Sequence, residues 1–104
     1  MAQIIQQGST PTHKFSTPYE KSSIDSVIIT YSQNGRIVLE KHTQDIVISD
    51  LVMTTELSQE DTLLFDEKGD VKMQIKVKLT NGKVIPSNDM YASVKDVLNK
   101  EVMR

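Results

Sequence analysis

The chain has no cysteine and no tryptophan among its 104 residues. Without cysteine there is no disulfide to staple a small fold, no thiolate nucleophile and no Cys-type zinc site. Rings are scarce as well: Phe15, Phe65, Tyr19, Tyr31 and Tyr91 are the whole aromatic set. Surfaces that stack bases or sugars usually present more of them, which argues against a nucleic-acid partner. Neither sign of charge dominates, since 12 Lys and Arg against 14 Asp and Glu leave a net −2. The basic footprint of a nucleic-acid binder is therefore missing. No apolar run is long enough to cross a bilayer, so no membrane is expected as a partner. The opening Met1-Ala2-Gln3-Ile4-Ile5-Gln6 lacks the basic and apolar regions of a secretory signal. Residues 1–104 suit one domain with one core.

What the chain does have is alternation. In Val71-Lys72-Met73-Gln74-Ile75-Lys76-Val77-Lys78-Leu79 every odd residue is apolar and every even one is Lys or Gln. Successive strand side chains point to opposite faces, so this is a strand with one buried and one wet face, the signature of an antiparallel sheet. Shorter strands are expected at 2–7, 12–16, 24–32 and 36–43, with turns at Gly8-Ser9-Thr10-Pro11 and Thr17-Pro18. Six or seven strands with turn signals every 8–12 residues make an all-β, two-sheet antiparallel β-sandwich of the immunoglobulin-like kind the expected architecture. A small barrel is the runner-up.

Parity sets the expected hairpins. Val27, Ile29, Tyr31, Ile37 and Leu39 are all odd, so a three-residue loop at 33–35, with Gly35 in a G1 bulge, keeps them on one face. Ile46 and Ile48 against Leu51 and Met53 call for a two-residue turn at Ser49-Asp50. Val84, Met90 and Ala92 are even, which suits a two-residue turn at Asn81-Gly82 and places all three on the core face. Pro86 belongs where no ladder donor is needed. Between strands, Ser58 followed by Asp61 reads as a capping box, opening a short crossover helix near 58–65 that plugs the core with Leu63, Leu64 and Phe65.

No catalytic or metal constellation emerges. His13 and His42 stand on different segments with no metal-type spacing. Asp66, Glu67 and Asp70 lack the order of a calcium loop. Ser22, Ser23 and Ser58 have no nucleophile-elbow context, and Gly8 opens no phosphate-binding fingerprint. No enzyme activity and no cofactor are expected. Lys72, Lys76 and Lys78 form a basic stripe on the wet face of their strand, either a solvated face or a docking surface for an acidic partner.

Several blocks occur together: Gln7-Gly8-Ser9-Thr10-Pro11-Thr12 ahead of Phe15, Val27-Ile28-Ile29-Thr30-Tyr31-Ser32-Gln33-Asn34-Gly35, Leu57-Ser58-Gln59-Glu60-Asp61-Thr62, and the stretch from Ser87-Asn88 to Val97-Leu98. In this order they resemble a group of small proteins encoded in phage and prophage structural gene clusters of Firmicutes, over nearly the whole chain. The opening alone is similar to the N-terminal β-domains of phage baseplate upper proteins. There the usual opening has Asp where this chain has Ser9, so no role of that carboxylate carries over. The resemblance implies a non-catalytic tail, baseplate or head–tail accessory part. Its partners would be other phage structural proteins and copies of itself, first in the bacterial cytoplasm and then in the virion. The segments where an edge strand or arm could add to a neighbour are 3–10 and 95–104, with Gln3, Ile5, Gln7, Thr10, Leu98 and Val102 as candidate contacts. The alternative is a monomeric ligand-binding or host-modulating β-domain that uses loops 33–35 and 66–70.

Overall fold

A computed structural model describes residues 3–104, so Ala2, expected to open the first strand, lies outside them. The elements in chain order are β1 (Gln3–Gln6), β2 (Thr12–Ser16), β3 (Ile24–Gln33), β4 (Arg36–His42), β5 (Ile46–Ser49), β6 (Val52–Glu56), α1 (Gln59–Leu63), β7 (Val71–Leu79), β8 (Val84–Pro86) and β9 (Met90–Lys95). They form two sheets, one ordered β1-β9-β7-β3-β4 with β8 beside β7, the other β2-β6-β5. The expected two-sheet β-sandwich is present. Its strands number nine rather than six or seven; one of the added strands arises because the segment after Gly82 splits into β8 and β9 around Ser87. One pair departs from the antiparallel expectation: β1 runs parallel to β9. β1 and β2 belong to different sheets, so no hairpin dictates the direction of β1.

The core lies between the sheets. β7 supplies Val71, Met73, Ile75, Val77 and Leu79, all buried, while its even residues are exposed. β3 adds Val27, Ile29 and Tyr31; Phe15, Ile46, Ile48 and Met53 face them from the small sheet. Alternation thus predicts the inward face of both long strands correctly.

The hairpin turns come out differently. Asn34 and Gly35 have φ of 53° and 77°, and Gln33 pairs directly with Arg36, so this is a tight two-residue turn rather than a three-residue loop. Parity is restored by a bulge one step later, where Tyr31 pairs with Leu39 and Ser32 with Ile37. Ile37 therefore faces outward and is 65% exposed. After β7 the reverse holds. Leu79 N–H donates to Lys83 O and Gly82 N–H to Leu79 O, a three-residue loop with Gly82 at φ 90°. Val84 then lies opposite Lys78 on the wet face, not on the core face. The break at Ser87 resets the register, and Met73 opposite Met90 and Val71 opposite Ala92 match the expectation. Pro86 faces Lys76, and the neighbouring bonded pairs fall on odd residues of β7, so its missing N–H costs the ladder nothing. The third hairpin turns at Asp50-Leu51, both at positive φ, one residue later than expected, and pairs Ile48 with Met53.

α1 carries the expected capping box: Asp61 N–H donates to Ser58 Oγ at 3.0 Å and Ser58 N–H to Asp61 Oδ2 at 2.9 Å. The helix is shorter than 58–65 and crosses from the small sheet to the large one. Phe65 plugs the core, but Leu64 is exposed and Leu63 half-buried. Buried Thr62 stands in for them, its hydroxyl donating to Ser9 O and accepting from Gly8 N–H.

Candidate docking site along the open edge of the small sheet

β2 is an edge strand, and two backbone bonds fix which of its groups face outward. Leu57 N–H donates to Pro11 O at 3.0 Å and Thr17 N–H to Leu51 O at 2.9 Å. In an antiparallel ladder bonded residues alternate, so odd residues of β2 address β6 and the even ones, Thr12, Lys14 and Ser16, turn their N–H and C=O groups away from it. One of these outward groups is used: Gln3 Nε2 donates to Lys14 O at 3.1 Å. Among the described residues no hydrogen bond engages the outward N–H groups of Thr12, Lys14 and Ser16, or the Ser16 carbonyl. β1, a strand of the other sheet, is paired to β9 and is hydrogen-bonded to β2 through Gln3 and His13.

Past Ser16 the gap between the sheets is unfilled. A cavity of about 160 Å³ is bounded by Thr17, Tyr19, Met53, Ile75, Val77 and Ile85. Its cause is local. Ser87 interrupts the strand after β8, its Oγ accepting from Ile75 N–H at 2.9 Å and its N–H donating to Ile75 O at 2.7 Å. Among the described residues no strand pairs with the outer edge of β2 to cover the hole from the other side. A second cleft, lined by Gln3, Phe15, Met73 and Met90 among others, shares Ser16 with the first. Together they follow the free edge of β2.

The candidate contacts fall into three groups. Lys72, Lys76 and Lys78 are exposed on the outer face of the large sheet, and Thr10 is exposed in the turn before β2. Gln3 and Val102 are half-buried, while Leu98 is wholly exposed in the segment that follows β9. Ile5 and Gln7 are corrections. Ile5 is a fully buried core residue, and the buried Gln7 side chain is spent inside, donating to Phe65 O at 2.7 Å and accepting from the Lys100 ammonium. The odd residues of β1 point inward because β1 closes one flank of the sandwich.

The loops 33–35 and 66–70 are tied to each other, not arranged around an opening. Buried Gln33 donates to Asp66 O at 2.7 Å and Gly69 O at 3.0 Å, and accepts from Asp66 N–H at 2.7 Å. Its role is missed in the sequence, although its odd position on β3 marks it as inward. The same signal applies to His13, which shares the inward face of β2 with Phe15. His13 is 1% exposed; its Nε2 meets Ile4 O at 3.3 Å and its Nδ1 meets Tyr31 Oη at 2.9 Å. A carbonyl only accepts, so Nε2 carries the proton, Nδ1 accepts, and the Tyr31 hydroxyl donates. Burial holds the His13 pKa below its ordinary value, against a smaller opposing effect of the Ile4 bond. Burial also pushes the Tyr31 hydroxyl upward, with Asp61 adding to it. Asp61 itself is raised by burial but ends below the ordinary carboxylate value, because Ser58 and Lys41 donate to it. Among the described residues no group of three or more acidic or imidazole side chains stands in a metal-holding arrangement.

No protein-family model matches the chain, and no curated relative matches it. Solved structures do. The immunoglobulin-like domain of mouse leukocyte-associated immunoglobulin-like receptor 1, described as a strand-swapped dimer, is 14% identical, with a TM-score of 0.47 over 90% of this chain and 88% of that one. The V domain of amphioxus IgVJ-C2 is 17% identical, with a TM-score of 0.35 over 88% of this chain and 97% of that one. At these identities the likeness concerns the fold alone. The protein is an all-β, two-sheet sandwich whose solved neighbours are immunoglobulin-like domains.

Proposed function

We propose that this chain is a non-catalytic building block of a phage or prophage particle, a tail, baseplate or head–tail accessory part that works by self-association and docking. The observation that carries the docking half is the uncovered edge of β2. Among the described residues its outward N–H groups and the Ser16 carbonyl have no hydrogen-bond partner, Gln3 takes the Lys14 carbonyl, and a mostly apolar cleft lies past its end. Proteins that stay apart usually blunt such an edge with a proline, a bulge or a covering loop. Here prolines flank β2 at positions 11 and 18 but none interrupts it, so its protection is limited to its five-residue length and Lys14 at its centre. The phage context rests on the resemblance of the quoted sequence blocks. Size-exclusion chromatography with light scattering tests the reading. The expected result is an oligomer that forms as concentration rises and weakens when residues 96–104 are removed. A strict monomer at every concentration, indifferent to trimming, overturns it. Capsid or tail genes on either side of the coding sequence would support the phage context.

One observation favours a second reading, a monomeric domain that binds a small apolar ligand. The cavity beside Thr17 has the volume for one. The end loops, latched by Gln33, would not be its site.

A further inference from the structure

We infer that the free edge of β2 accepts an added strand, and that this strand is the segment 96–104 of a second copy. The inference rests on the assembly reading and names the two surfaces that meet. On the acceptor side, the outward groups of Thr12, Lys14 and Ser16 recur every second residue, roughly 7 Å apart along the strand. Another extended backbone supplies donors and acceptors at that spacing, which is how strand addition gains its affinity. The cavity past Ser16 then asks for one apolar side chain from the added strand. It is a half-open, mostly apolar cleft of about 160 Å³, with room for one such group. A leucine side chain is of that size.

On the donor side, the chain after Lys95 has neither helix nor strand, and polar contacts dominate its hold on its own molecule. Gln6 Nε2 donates to Asp96 O at 2.6 Å and Lys100 donates to Gln7. Gln59 donates to Met103 O at 2.8 Å and accepts from Met103 N–H at 2.9 Å. The Arg104–Glu60 pair is exposed on both sides. Water can replace each exposed bond at little cost. Its apolar side chains are unevenly served: Val97 and Val102 are half-buried, whereas Met103 is 80% exposed and Leu98 wholly so. Leu98 thus lacks cover in its own fold, while the β2 flank lacks a filler. The segment ends against α1, which follows Leu57 and adjoins Pro11 at the start of β2, whereas the cavity lies past its finish. The segment of one copy and the edge of another make one such contact, which two copies can exchange as a closed dimer or several can pass on as a ring.

Two substitutions separate the surfaces without touching the core. Leu98→Asp spoils the donor at a side chain that is free in the monomer. Ser16→Pro removes an outward N–H that the β2–β6 ladder does not use. Sedimentation velocity of the full chain should show concentration-dependent association. Each variant alone should be monomeric, with its dissociation constant raised at least tenfold and its melting temperature unchanged. Mixed together they should form a 1:1 heterodimer that grows no further, because one keeps a working edge and the other a working segment. If Ser16→Pro does not fold, Ile85→Trp, which fills the cavity, takes its place. A wild-type chain that never associates removes both the assembly reading and this one. A wild-type oligomer that persists in both variants leaves assembly standing and overturns the inference. Association lost in Ser16→Pro but kept in Leu98→Asp overturns it too, pointing to pairing of two β2 edges.

Discussion

Single buried polar residues hold this sandwich at points where the alternating pattern is broken by a polar side chain facing inward. Gln33 bonds three backbone groups of the loop 66–70, so Gln33→Ala leaves Asp66 N–H, Asp66 O and Gly69 O without their partner. Some of these groups reach water, and the expected loss is about 2–3 kcal/mol by urea denaturation, with faster amide exchange across 66–70. His13 makes stability depend on pH. Its folded pKa lies below the unfolded value near 6.5, so below that pH the unfolded chain takes up a proton that the folded one resists. Stability should therefore be full above about pH 6.5 and decline as pH falls from there through the folded pKa. Protonation would also make Nδ1 a donor facing the Tyr31 hydroxyl, which now donates to it. The melting temperature of His13→Gln should fall less than that of the wild type between pH 7 and pH 5. An equal fall in both would assign the dependence to other groups. Both residues carry a visible mark in the sequence, an inward parity, but parity does not name the partner that each one finds.

At the scale of elements, alternation decides faces and turn chemistry decides registers. Ile75→Asp should unfold the domain, because an unpaired carboxylate would enter a side-chain site only 6% exposed. Lys76→Ala, one residue away on the wet face, should change stability by no more than about 0.5 kcal/mol. Circular dichroism melts of the pair check the face assignment, and the reverse outcome would invert the sheet. The capping box of α1 is equally local. Asp61→Ala removes the acceptor of Ser58 N–H and the partner of Lys41 at 2.9 Å, at an expected cost of about 1–3 kcal/mol. Since the folded pKa of Asp61 is lowered, its contribution is present above the unfolded value near 4 and is lost as pH falls through the folded one. Hairpins are where sequence parity falls short. Gln33-Asn34-Gly35 and Thr80-Asn81-Gly82 are nearly the same signal, yet the first makes a two-residue turn and the second a three-residue loop. Both solutions keep the inward faces apolar, since a bulge at Val38 or a break at Ser87 repairs the register further on. Parity constrains the sum of turn and bulge, not where the extra residue goes.

For the whole molecule, the consequential feature is an asymmetry between flanks. β1 leaves the small sheet uncovered and pairs with β9 instead, so the edge of β2 is open although the chain has a strand just ahead of it in sequence. Nothing in residues 3–6 announces that choice: Gln3, Ile4, Ile5 and Gln6 could add to either sheet by composition. The choice has two effects on candidate contacts. It buries Ile5 and Gln7, which as an added arm would have been exposed, and it leaves Thr12, Lys14 and Ser16 on an edge without a neighbouring strand, which the pattern alone does not single out. Leu98, by contrast, a candidate contact from the sequence, is wholly exposed in the fold.

The sequence by itself determined the inward sets on β3 and β7, the capping box that opens the crossover helix and the absence of thiol chemistry. All of these follow from local period and residue type, which need no knowledge of distant neighbours. Tertiary structure alone decided the parallel seat of β1, the placement of each bulge, the Gln33 latch, the His13–Tyr31 pair and the open edge beside an apolar cavity. Those depend on which of several sterically equivalent neighbours a strand meets across the sandwich, and that choice is made by the packing of the whole chain.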